Sequence, residues 1–222
     1  MSAARLMKRS TMKKYAVMIA AWSISTVALG QEYMGLSLGH SSATGACSQL
    51  GSCTKGAFAA KIALGGLVDS APLHSIGVSG YELSYIRFGR TQNRFTQLLP
   101  QQNANAVAGA PGYSLTYGDY DLHGQTQAMT AALVWRGVVL PSTFVLGKVG
   151  LAYVTTTLTT SINGARSGQV TASKLKPYVG MGIEQQILPT TKLTAGLDWT
   201  RYSLEGHAGP IRMVGIGLQQ DF

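Results

Sequence analysis

Six ionisable residues, Lys61, Glu82, Arg136, Lys148, Glu184 and Asp198, stand in stretches that otherwise alternate apolar side chains with small or hydroxyl-bearing ones. Each occupies the polar parity of its stretch, so in an extended chain all six point away from the apolar face. Glu82, Arg136, Lys148, Glu184 and Asp198 lie three to six positions from tight connections, which predicts one layer of mixed charge. Such a layer has two uses. Its members pair and fill a dry interior, because an unpaired buried charge costs several kcal/mol, or they line a narrow path for ions. Hydrolysis is a third chemistry to weigh. His40 is followed by Ser41 and Ser42, but a hydrolytic triad also needs a carboxylate to orient the imidazole. No acid shares the His40 face, and Ser41 points to the opposite one, which leaves Ser42 the nearer hydroxyl. His74, His123 and His207 fall in connections, without metal-ligand spacing. The Gly-x-Gly pairs Gly180/Gly182 and Gly215/Gly217 make inward room inside strands and do not cradle phosphate. No cofactor site emerges.

The elements that position these residues are strands. Past residue 30 no apolar run reaches the ~18 residues of a membrane helix, and helical periodicity is poor. Eight alternating segments recur, roughly 32–41, 57–68, 76–91, 125–140, 143–160, 174–187, 192–204 and 211–222. Their connections alternate strictly in kind. Three are tight and carry Pro72, Pro141 and Pro189; the others, roughly 42–56, 92–124, 161–173 and 205–210, are mostly longer and polar. Leu193, Ala195, Leu197 and Trp199 oppose Thr194, Gly196, Asp198 and Thr200, and the other segments divide in the same way. A water-soluble barrel would turn the apolar face inward and dress its exterior with charge. This chain has 12% charged residues, about half the usual share of ~25%. The alternation therefore predicts apolar faces toward lipid and polar faces inward, in an eight-stranded antiparallel transmembrane β-barrel with short periplasmic turns and longer external loops. All eight segments reach the ~9–11 residues that a tilted span requires. Trp135 and Phe222 fall toward one end of the spans and Tyr85, Tyr153 and Trp199 toward the other, as interfacial girdles would.

Residues 1–30 read as a signal peptide: Arg5, Lys8, Arg9, Lys13 and Lys14 precede an apolar run that closes on Ala28 and Gly30. The barrel domain then spans 31–222. Removing the signal takes five of the 18 basic residues and none of the nine acidic ones, leaving a net charge of +4. The basic character is largely a targeting feature, and no Lys/Arg cluster remains to suggest nucleic acid. Export also sets the redox compartment. Cys47 and Cys53 are the only cysteines and are expected to form a disulfide, worth ~2–3 kcal/mol on a chain-entropy basis.

Taken together, "QEYMGLSLGHS", "GYELSYIRFGRT", "KLKPYVGMGIE" and the terminal "VGIGLQQDF" resemble the small OmpA-like, OmpX-type outer-membrane barrels across the whole mature chain. The resemblance implies a monomeric barrel in the bacterial outer membrane, surrounded by lipid and lipopolysaccharide. It also implies insertion by the barrel-assembly machinery, with Gly215, Ile216, Leu218 and Phe222 as the insertion signal. Some eight-stranded barrels hydrolyse lipid A; the lone His40 makes that the least favoured reading. The expected role is structural or surface-interacting, through external loops that contact a host or surface ligand. A narrow ion channel through the lumen is the alternative.

Overall fold

A computed structural model describes residues 31–44, 52–54, 56–67, 80–102, 113–204 and 207–222. The signal segment, Cys47 and His74 lie outside them. The strands are β1 (Glu32–Ala43), β2 (Ser52–Thr54), β3 (Gly56–Leu67), β4 (Gly80–Gln102), β5 (Tyr113–Leu140), β6 (Thr143–Ile162), β7 (Ala165–Leu188), β8 (Thr191–Leu204) and β9 (His207–Asp221). From β3 onward each pairs antiparallel with the next, β3 pairs with β1, and β9 returns to β1. The ring is closed. Tyr33↔Asp221 to Ala43↔Ile211 forms the seam, and the Phe222 amide donates to the Glu32 carbonyl at 2.9 Å. Closure leaves these strands without the unpaired edge that lipid would not tolerate. The short β2, which contains Cys53, stands outside the ring and adds to β4 at Gln92–Arg94. No described helix is long and apolar enough to cross a membrane.

The exterior obeys the parity expected from the sequence. Leu36, Ile62, Leu83, Met129, Leu151, Met181, Leu193 and Ile216 are all exposed, while their chain neighbours turn inward. The change from apolar to polar follows the ladder. Tyr85, Met129, Tyr153 and Leu175 are consecutive cross-strand partners on β4 to β7. The next outward row is Arg87, Gln127, Thr155 and Ser173, and the one after it Arg90, Gln125, Thr157 and Thr171. The Tyr85 hydroxyl donates to Gln127 at 2.8 Å across this boundary, as an amphipathic ring at a lipid interface does.

The external connections differ from the sequence-based expectation. The 92–124 stretch was expected as a loop, yet most of its described part is ladder, from Gln92↔His123 to Gln102↔Tyr113. Residues 161–173 are likewise strand around a two-residue turn, Asn163–Gly164, with φ of 51° and 78°. Asn-Gly is the pair such a hairpin turn favours. His123 and His207 accordingly lie on β5 and β9. The reason is physical. Beyond the lipid both faces of a strand meet polar surroundings, so the period-two apolar signal fades while the hydrogen-bonded ladder continues. β5 has 28 residues, well over twice the ~9–11 of a span. A bulge between Arg87 and Arg90 marks the start of this extension. It turns at Gly89, whose φ is 79° and where a Cβ would meet the Phe58 carbonyl oxygen at 2.3 Å.

Candidate functional site in the lumen

The interior is built in layers. Nearest the tight turns, Lys192 of β8 pairs with Asp221 of β9 at 2.5 Å. Asp221 also accepts from Gln31 at 3.2 Å and from Gln219 at 3.1 Å. Beside it, Arg136 of β5 pairs with Glu184 of β7 at 3.2 Å, and its guanidinium lies 3.6 Å from the ring centre of Phe144 on β6. Planar stacking of that kind is a property of arginine that lysine lacks.

The largest cluster centres on Lys61 of β3. Its ammonium lies 3.0 Å from Glu82 on β4 and 2.7 Å from Asp198 on β8. Lys148 of β6 makes the second ion pair to Glu82. Tyr33 of β1 donates to Glu82 at 3.1 Å, and Tyr178 of β7 donates to Asp198 while accepting from Lys61 at 3.2 Å. Six strands meet at this one cluster. Gly180 makes the room: a Cβ there would stand 3.3 Å from both the Asp198 carboxylate and the Lys148 Cβ.

The six ionisable residues read from the sequence all turn inward and gather in two groups of ion pairs. Arg136 and Glu184 pair with each other, and Lys61, Glu82, Lys148 and Asp198 form the other group. Sequence reasoning passed over Lys192 and Asp221, although their parity with Thr194 and with Gly217 marks both as inward. It also gave no role to Tyr33 or to Tyr178, although alternation places Tyr178 on the inward face with Gly180 and Glu184. The described clusters hold four cations and four carboxylates, each with an opposite partner. All eight groups are paired, and about 50 Å³ of space remains among them.

Above the ion pairs lies an apolar waist. Ile86, Phe88, Val154, Ile211 and Met213 are buried across the lumen, with Ala59, Ala128 and Ala152 between them. Eight strands enclose a bore that side chains of this size fill.

The other candidates sit elsewhere. His40 is exposed on the outer face, where Ser42 accepts a hydrogen bond from Arg212 at 3.2 Å. Ser41 is buried on the opposite face and donates to the Ala57 carbonyl at 3.3 Å, so the two serines diverge. Ile216, Leu218 and Phe222 face outward and Gly215 faces the lumen. Among the described residues no three His, Cys, Asp or Glu gather as metal ligands.

No family model and no curated protein matches the chain. Solved structures do. Neisserial surface protein A (NspA) superposes with a TM-score of 0.51 at 13% identity, covering 86% of this chain and 97% of its own. Ail of Yersinia pestis, in complex with the heparin analogue sucrose octasulfate, gives 0.49 at 13% identity over 86% and 98%. The N-terminal β-barrel domain of Pseudomonas aeruginosa OprF gives 0.45 at 13% identity over 87% and 99%. The likeness to NspA and the closed eight-stranded ring show the fold, an eight-stranded antiparallel β-barrel.

Proposed function

We propose that this chain is an integral protein of the bacterial outer membrane with a structural and surface-interacting role: a closed, plugged barrel that holds a long β-sheet extension outside the lipid. The observation that carries this reading is the extension itself. β4 to β7 continue as one ladder past the row of Tyr85, Met129, Tyr153 and Leu175 and present Arg94, Thr96, Asp119, Asp121 and Thr157 outward. Arg87, Arg90, Arg201 and Arg212 are exposed just beyond the apolar band. Guanidinium groups at that height suit the phosphates of lipopolysaccharide, which they bind in bidentate fashion. The barrel-assembly machinery inserts the protein through its last strand, with Phe222 at the periplasmic interface.

Conduction and lipid A hydrolysis are the competing roles. The compensated charges and the apolar waist argue against an ion path, and the separation of His40 from Ser41 argues against a hydrolase. The deciding experiment replaces 91–102 and 113–124 with a short turn. The shortened protein should keep the different migration of unheated and boiled samples in SDS that marks a folded barrel, while cells carrying it lose attachment to a host or abiotic surface. Equal attachment by both proteins overturns the surface role. Steady conductance in planar bilayers that Glu82→Ala abolishes establishes the channel instead, and altered lipid A mass spectra on overexpression establish the enzyme.

A further inference from the structure

Above the waist the lumen opens into a second space of about 280 Å³. Its wall is Phe88, Phe95, Leu122, Leu158, Leu204 and Ile211 with neutral polar residues between them, and none of the described residues lining it is acidic or basic. Several of the polar groups are already bonded to one another or to the backbone. The Thr126 and Thr156 hydroxyls bond each other at 3.3 Å, Ser41 donates to the Ala57 carbonyl at 3.3 Å and Tyr202 donates to the Thr44 carbonyl at 3.1 Å. Water is poorly held in such a space, because each buried molecule needs about two to four polar partners. The floor is closed by the waist and by the ion pairs beneath it. One side is broken. The β7–β8 backbone ladder stops at Val179↔Trp199; beyond it β8 stays laddered to β9 and β7 to β6, Pro177 lacks an amide hydrogen, and the Thr200 hydroxyl makes a last link across the start of the parting by donating to the Pro177 carbonyl at 2.8 Å. No described β7 residue lines the cavity, so the wall is interrupted between Leu158 of β6 and Tyr202 of β8.

We propose that this blind cup is a binding site for a small, uncharged, predominantly apolar molecule, held in the external half of the lumen and admitted past the parting of β7 and β8. A neutral apolar wall gains from covering apolar surface. It rejects a charged head, which would lose water and find no counter-ion. The closed floor makes the site one of capture, without passage to the periplasmic side. Phe95 and Leu122 at the base of the extension form part of the wall, but the inference does not rest on any surface-binding role of the extension.

The test uses the protein in lipid nanodiscs with octan-1-ol, octanoate and octylammonium, which share a chain and differ in head charge. Amide NMR should show saturable shifts at Thr126, Thr156, Leu158 and Ile211 for octan-1-ol, with affinity at least about tenfold weaker for either charged analogue. Leu158→Trp, which fills the cup, should abolish the saturable shifts while heat-dependent migration in SDS shows the barrel folded. Should that variant fail to fold, Ile211→Phe is the second filler. Three outcomes overturn the proposal: shifts confined to lipid-facing residues such as Met129 and Leu151, equal affinity for the three heads, or undiminished binding in a folded, filled variant.

Discussion

The two halves of the lumen belong to one ring of strands, yet one is filled by ion pairs and the other, to whose wall no described β7 residue contributes, is a cup. In the periplasmic half, four cations and four carboxylates reach across the bore until each finds a partner, and about 50 Å³ is left. None of the described residues in the wall of the external half is charged, and that half keeps about 280 Å³. The difference lies in what draws side chains to the barrel axis. Charges removed from water must meet, and long lysine and arginine stems let them do so. Leu158, Leu204 and Ile211 gain as much by lying against the wall as by reaching the centre, and the threonines bond their neighbours.

Breaking the ionic half should have the largest effect. Lys61→Met leaves Asp198 without its ion pair and Glu82 with Lys148 alone, and should destabilise the barrel by ~3–5 kcal/mol in urea unfolding from lipid vesicles. Ile211→Ala, which enlarges a space already present, should cost ~2 kcal/mol. A larger loss from Ile211→Ala than from Lys61→Met would invert the comparison. Arg136→Glu and Glu184→Arg should each cost ~3 kcal/mol alone. The double exchange should recover most of that loss but not all, because the contact between Arg136 and Phe144 is not rebuilt. Tyr178→Phe removes the hydrogen bond to Asp198 and the one accepted from Lys61 and should cost ~1.5–3 kcal/mol; no change would mean that the direct Lys61–Asp198 pair holds Asp198 without it.

The smallest effect belongs to the extension. Asp121 accepts from Gln92 at 2.9 Å and from Arg94 at 3.1 Å, with His123 at 3.4 Å. The Gln92 hydrogen bond, followed by that from Arg94, holds its carboxyl below the ordinary aspartate value. A lowered value means stability that is present above the unfolded pKa and lost as pH falls through the folded one. In water and salt this amounts to less than ~1 kcal/mol. Asp121→Asn should therefore flatten the acid limb of hydrogen-exchange protection in the extension and leave the lumen clusters untouched. A comparable change in protection at Glu82 or Asp198 would show that the two regions are coupled.

Much of the barrel was legible because a strand's period of two converts sequence directly into faces. Val214, Ile216 and Leu218 had to share one side and Gly215 and Gly217 the other; low charge content decided which side met lipid. The inward turn of Lys61, Glu82, Arg136, Lys148, Glu184 and Asp198 followed from the same parity. Lys192 and Asp221 carried the signal too but sat at strand ends, where the count of positions was read less far. The long β4–β5 and β6–β7 ladders were not legible, since polar residues on both faces leave no period to detect.

Parity says that a side chain points inward; it does not say whom it meets. That Lys61 lies between Glu82 and Asp198, that Arg136 takes Glu184, and that a neutral cup opens over the waist depend on the stagger with which eight strands close. The stagger is a property of the whole ring, summed over every register between Tyr33 and Asp221. The sequence by itself determined the strands, their lipid face and the presence of buried charge, because these are local consequences of alternation and composition. The tertiary structure decided the pairing and the empty space, because both arise from residues of different strands sharing one narrow bore.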